Sequence, residues 1–269
     1  MMNEPISKLS KEQVLYIKRT RQHKKLVLFF QFFLFVFFLV LWEFTSRTGI
    51  INTFIFSSPS RMVLSGRELF LTGGLLKHIG ITLAETFGSF FLVASVSLLI
   101  AILLWWNTTL SEILEPYLVI LNSLPKSAMA PIFIVWLGNN MKTIIVTAIS
   151  VAIFGSILNL FTSFMSTDPD KLKLIRTLHG SRTDCLTKVI LPMNLPTILS
   201  ILKVDIGLCL IGVVIGEFLA AREGLGYLII YGSQVFKMDW VMLSIVLLCL
   251  IAALLYGVLN RLEKYFNNF

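Results

Sequence analysis

The chain has 269 residues, of which 56% are hydrophobic and only 14% are charged, and its mean hydropathy is +0.84. Ordinary soluble domains carry about 25% charged residues, so the composition excludes that class and defines an integral membrane protein. The formal charge of +8 reads as topology rather than a nucleic-acid surface, because membrane proteins gather Lys and Arg on one side.

Residues 1–25 form a basic arm with Lys8, Lys11, Lys18, Arg19, Arg21, Lys24 and Lys25. The apolar run behind it is expected to be an uncleaved first span, because WEFTSRTGIINTF after it offers no small-x-small cleavage site. A hydrocarbon core of about 30 Å takes about 20 helical residues. That length predicts an all-α membrane domain over about residues 26–262, with six spans at about 26–45, 80–106, 113–138, 141–166, 192–221 and 239–262, then a tail over about 263–269. The third span is expected to be irregular, since Pro125, Lys126 and Pro131 fall inside it.

Threading six spans alternately places fourteen Lys and Arg on the side of both termini and of the 167–191 loop. Seven fall on the other side and two, Lys126 and Lys203, within spans. The positive-inside rule therefore predicts cytoplasmic termini and a cytoplasmic loop.

That loop is unusually well specified. Asp168 before Pro169 is a helix start, because the carboxylate caps free N–H groups and Pro at the first position loses no hydrogen bond. Leu172, Ile175 and Leu178 recur every three residues and predict an apolar stripe, flanked by Lys173 and Arg176. Gly180 is expected to supply the left-handed residue that ends the helix. Ser181 to Asp184 has the spacing of a capping box. A short helix with an apolar stripe and basic flank suits a groove on another protein.

Few other residues suggest chemistry. No Gly-x4-Gly-Lys-Ser/Thr run is present to cradle a nucleotide, and the glycines from Gly224 to Gly232 read as a turn. His23, His78 and His179 lack a second ligand at metal spacing, and Cys185, Cys209 and Cys249 share no short spacing. Neither a cofactor nor a catalytic site is expected in this chain. Ionisable residues inside spans cost about 2.5 to 3.5 kcal/mol on insertion scales, which makes Lys126, Asp205 and Glu217 candidates for a translocation path, together with the polar Ser123. Lys126 would either help an anion pass or pair with a carboxylate; Glu217 would either touch solute or hold structure. Lys203 is expected to snorkel toward the cytoplasmic interface, and Glu85, near the outer end of its span, to reach water.

The loop resembles that of binding-protein-dependent ABC importer permeases, whose signature is Glu-Ala-Ala, three residues, Gly, nine residues, Ile, one residue, Leu-Pro. Counted back from Pro192, the family Gly falls on His179, the Ile on Val189, and Glu-Ala-Ala on Lys173, Leu174 and Ile175. LNSLPKSAMAPIFIVWLG, RTLHGS, VILPMNLPTI and GEFLAAREGLGYLI resemble, in order and spacing, the nitrate, sulfonate and taurine branch. The resemblance implies a type I importer fold in a bacterial cytoplasmic membrane. It further implies a homodimer of permeases, two ATPase subunits that bind ATP-Mg, and an external solute-binding protein. The ATPase contacts it implies are Leu172, Lys173, Ile175, Arg176, Leu178, His179, Gly180, Ser181 and Arg182. Its solutes are small and mostly anionic: nitrate, sulfonates, taurine or thiamine precursors. Two other classes remain open: an ion-gradient-driven secondary transporter, which would show paired broken helices in internal repeats, and a scaffold, which would carry a large soluble region.

Overall fold

The computed structural model describes residues 11–72 and 74–266. Lys8 of the arm and residues 267–269 of the tail lie outside them. Every regular element described is helical, as a chain in hydrocarbon requires when each backbone group must find its partner within the segment.

Two units make up the chain, Met1–Leu64 and Ser65–Phe269. In the first, α1 (Lys11–Arg47) is a single 37-residue helix, about 55 Å long at 1.5 Å per residue. Its phenylalanines are exposed along the apolar run, the surface that suits lipid. Glu43 near its end accepts from Arg47 Nε at 2.6 Å and from the backbone N–H of Ser60 at 3.1 Å. Between them lies the single turn of α2 (Thr53–Phe56), capped by Asn52.

The second unit holds most of α3 (Pro59–Leu71), then α4 (Gly74–Trp106), α5 (Thr108–Ser123), α6 (Lys126–Leu137) and α7 (Met141–Met165). Next come α8 (Pro169–Thr177), α9 (Arg182–Cys185), a π-helical turn (Leu186–Ile190), α10 (Leu191–Ala220), α11 (Leu225–Gln234) and α12 (Met238–Phe266). Among the described residues five helices are long and apolar enough to cross a membrane, and the bent pair α5/α6 would make a sixth crossing. The bend is 95°. Its cause is local: Leu124 precedes Pro125, which disfavours the helical region, and Leu124 is accordingly extended at ψ 142°.

The tightest packing joins α7 to α10. A Cβ on Gly212 would lie 2.5 Å from Ala148 Cα, and one on Gly216 would lie 2.9 Å from Ile144 Cα. Gly212 and Gly216 form a Gly-x-x-x-Gly pair, the spacing that lets two helix backbones approach where lipid supplies no hydrophobic drive. At one end of this unit, Leu104, Trp105, Phe161, Phe164, Cys185 and Ile190 form a buried cluster that seats the loop helices.

Candidate functional site

α8 starts as the sequence predicts. Asp168 Oδ1 accepts from Asp170 N at 2.9 Å, with Pro169 at the first helical position. The two halves of its apolar surface do different things. Leu172 and Ile175 pack against the buried cluster of Leu104, Trp105 and Phe161, so they fasten the helix to its own bundle. Leu174 and Leu178 point the other way and are 58% and 70% exposed. The free apolar face is therefore Leu174 with Leu178, beside the exposed Lys171 and Thr177. Leu174 was absent from the predicted stripe. Its spacing of four from Leu178 was the available signal.

The helix end corrects the sequence reading. His179, not Gly180, is the left-handed residue, at φ +60°. The N–H of Gly180 bonds the carbonyl of Ile175 at 2.9 Å and that of His179 bonds Arg176 at 3.0 Å, the paired bonds of a Schellman motif. His179 thus occupies the backbone conformation where the family keeps Gly. Gly180 is needed for another reason: a Cβ there would lie 2.5 Å from Ile175 Cγ2 and 2.9 Å from the Ile175 carbonyl.

Beyond the turn, Ser181 and Asp184 form the predicted reciprocal capping box. Lys188, 2.6 Å from Asp184, and the Ser181 hydroxyl hold the Asp184 carboxyl below its usual range. Arg182 turns toward its own chain. Its guanidinium lies 5.4 Å from the Trp105 ring and 5.6 Å from the Trp106 ring, and it donates to the Trp105 carbonyl at 3.3 Å. Lys173 stays on the exposed side and meets Asp170 at 3.2 Å, and Arg176 beside it is exposed.

The candidates inside the spans do not converge on one place. Lys126 Nζ donates to the carbonyls of Leu121 at 2.5 Å and Asn122 at 2.7 Å, so it closes the open C-terminus of α5 at the bend instead of pairing with a carboxylate. Ser123, exposed beside it, donates to the Val119 carbonyl at 2.9 Å. Asp205 is buried and accepts from Ser156 at 2.7 Å, with Ser97 on α4 3.0 Å from that serine. It ties α10 to α7. Lys203 on α10 is part-buried and meets Glu263 of α12.

A second polar group lies at the far end of α4, about 20 residues or 30 Å from Trp105 at helical rise. There Glu217 accepts from the Thr82 hydroxyl at 2.7 Å and from the Gly226 N–H at 2.5 Å, at the start of α11. An anion at a helix N-terminus is favoured by the free N–H groups and the dipole. Thr82 also accepts from Leu225 N at 2.9 Å, and His78 Nδ1 from Gly224 N at 2.8 Å. The turn is confined to Gly224 at φ +119°, whereas Gly226 and Gly232, which the sequence places in the same turn, lie inside α11; three side chains hold this helix start. Glu85 does not reach water: it is 2% exposed and hydrogen-bonds Glu217. Its Oε2 has no partner. It lines a cleft of about 420 Å³ together with Ile81, Asn140, Ile144, Ala221 and Arg222.

A bundle of apolar spans, one of them broken, which presents a fastened amphipathic helix between two spans, has the form of a membrane transport component. The chain belongs to the family described as binding-protein-dependent transport system inner membrane component, whose model matches residues 93–268. It is 27% identical over 227 residues to the putative aliphatic sulfonates transport permease protein SsuC of Bacillus subtilis, covering 84% of this chain and 82% of that one. It is also 27% identical over 249 residues to the formylaminopyrimidine transport permease protein ThiX of Halalkalibacterium halodurans, covering 92% and 96%. In structure it resembles the inward-facing MetNI methionine ABC transporter, with a TM-score of 0.64, 20% identity, and 73% of this chain against 97% of that one. The fold is that of an ABC importer permease.

Proposed function

We propose that this permease forms the membrane path of an ATP-driven importer as a homodimer, with two separate ATPase subunits that bind ATP-Mg and an external protein that delivers solute. Both termini and α8 face the cytoplasm, in a bacterial plasma membrane. ATP-driven closure of the ATPases moves α8, and the spans convert that motion into alternating access. The observation that carries this reading is the division of α8: Leu172 and Ile175 fastened to the bundle, Leu174 and Leu178 left free. A helix rigid on one side and apolar on the other is suited to transmit force from a partner groove. The solute is small and of the sulfonate, nitrate, taurine or thiamine-precursor type, in keeping with the sulfonate and formylaminopyrimidine relatives.

The test is uptake into proteoliposomes holding the permease with its ATPase and binding protein. Uptake should need ATP and stop with vanadate. Uptake stopped by a protonophore and untouched by vanadate would establish a secondary transporter instead.

A further inference from the structure

The cleft at the α11 end has a floor and a rim of different character. On the floor sits Glu85, 2% exposed, with Oε2 lacking any hydrogen-bond partner while the rest of its carboxyl engages Glu217. The walls combine the apolar Ile81, Met141, Ile144, Ala220 and Ala221 with Asn139, Asn140 and Glu223. Arg222 lines the same cleft at an exposed position. A buried acceptor without a donor costs about 1 to 3 kcal/mol, and native structures leave few such groups without a reason. The N–H groups of Gly224, Leu225 and Gly226 are met by His78, Thr82 and Glu217, so Glu85 contributes to this helix start through Glu217.

We propose that this cleft receives a solute through an amino group, with Glu85 Oε2 accepting an N–H from it; the inference rests on the importer reading and narrows its solute class. Sites for small molecules are mostly apolar with a few placed polar groups, and this cleft offers that pattern, with Glu85 Oε2 as the acceptor that still needs a donor. Nitrate or an alkanesulfonate carries no donor and brings a second negative charge to a carboxyl pair. An aminopyrimidine or an aminosulfonate satisfies the oxygen. The volume of about 420 Å³ accommodates either. Arg222 at the rim adds a contact for an acidic group in the second case.

The test uses the purified full-length permease in lipid nanodiscs and two matched pairs of probes: 4-aminopyrimidine with pyrimidine, and taurine with ethanesulfonate. The pair that responds identifies the body of the solute. In at least one pair the amino compound should bind about tenfold or more tightly than its partner, the discrimination expected when a site's polar group is left unmet. Glu85→Met should bring that ratio to near one without changing the weak binding of the partner. Ala221→Phe, which fills the cleft from its wall, should abolish binding of both and guards against a Glu85 variant that folds poorly. Equal binding within both pairs, an amino preference retained in Glu85→Met, or no saturable binding at about 10 mM, weaker than the millimolar scale of small-ligand sites, overturns the proposal and leaves water as the occupant. ATP-driven uptake without an amino preference faults the cleft alone, whereas amino-selective binding without ATP-driven uptake faults the importer reading alone.

Discussion

The Arg182 guanidinium lies over the Trp105 ring at 5.4 Å and donates to the Trp105 carbonyl at 3.3 Å. Residue 182 opens the helix behind α8, and residue 105 lies in the last turn of α4, so these contacts tie the coupling loop to a second span 77 residues away. Cation–aromatic contacts contribute about 0.5 to 1 kcal/mol at exposed sites, and each further hydrogen bond about 1 kcal/mol. Arg182→Ala should therefore weaken the tie by about 1 to 2 kcal/mol. The expected result is a permease that still recruits its ATPase but imports about fivefold less solute per ATP, a coupling loss of about 1 kcal/mol. Transport and hydrolysis measured together in proteoliposomes check it, and an unchanged ratio would show that α4 takes no part in the transmission.

Leu174 and Leu178 should be the apolar contacts with the ATPase. Full burial of a Leu is worth about 1.5 to 3 kcal/mol, so Leu174→Ser with Leu178→Ser should lower ATPase affinity by tenfold or more while leaving the permease's own melting temperature nearly unchanged. Leu172→Ser should do the reverse, because Leu172 packs into the bundle. Co-purification with the ATPase and thermal unfolding in detergent separate the two outcomes. Loss of ATPase binding in the Leu172 variant alone would reverse the assignment of faces.

The turn after α8 supplies a matched pair of substitutions. His179 holds φ +60°, a region that costs a side-chain residue about 1 to 2 kcal/mol, against an added chain-entropy cost for Gly of about 0.5 to 1 kcal/mol. His179→Gly should be stabilising by about 0.5 to 1 kcal/mol, a rise of about 2 °C in melting temperature. Gly180→Ala should be destabilising by about 1 to 3 kcal/mol, since its Cβ would meet Ile175 at 2.5 Å. Gly180→Val should be worse and should uncouple hydrolysis from transport, and Lys173→Ala should be mild, as befits a side chain that only meets Asp170 on the exposed face. A destabilised His179→Gly protein would refute the placement of the left-handed residue.

Much of this was legible in the sequence and some of it could not have been. Asp168 before Pro169 and the Ser181 to Asp184 spacing encode caps within four residues, so local chemistry suffices to read them, and the apolar runs encode the spans by length. The position of the left-handed residue was displaced by one, because Gly is the usual occupant and His179 adopts the conformation despite its side chain. The free face of α8 was hidden because Leu172, Leu174, Ile175 and Leu178 are alike in type, and only packing against residues from α4 and α7 decides which are covered. Lys126 was read as either helping an anion pass or pairing with a carboxylate, yet a helix broken at Pro125 leaves its own carbonyls as nearer acceptors. Glu85 looked like a residue that reaches water, since its partner Glu217 is far away in sequence. The Gly-x-x-x-Gly spacing from Gly212 to Gly216 is legible in the sequence, but which helix it faces is set only by packing against α7.

That spacing gives the sharpest stability test. At Gly212 a Cβ would stand 2.5 Å from Ala148 Cα, and neither backbone can yield without separating α7 from α10. Gly212→Ala should therefore cost about 1 to 3 kcal/mol by overpacking, and Gly212→Val more. Gly207 sits in the same helix and has nothing within 4 Å of an added Cβ. Gly207→Ala removes the helix penalty of Gly, about 0.8 to 1 kcal/mol relative to Ala, so it should be neutral or stabilising. The same chemical change at two positions of α10, five residues apart, should thus move the melting temperature in opposite directions. Thermal unfolding of the two purified variants decides it: a similar shift in both would mean that helix propensity, and not the α7 crossing, governs this span.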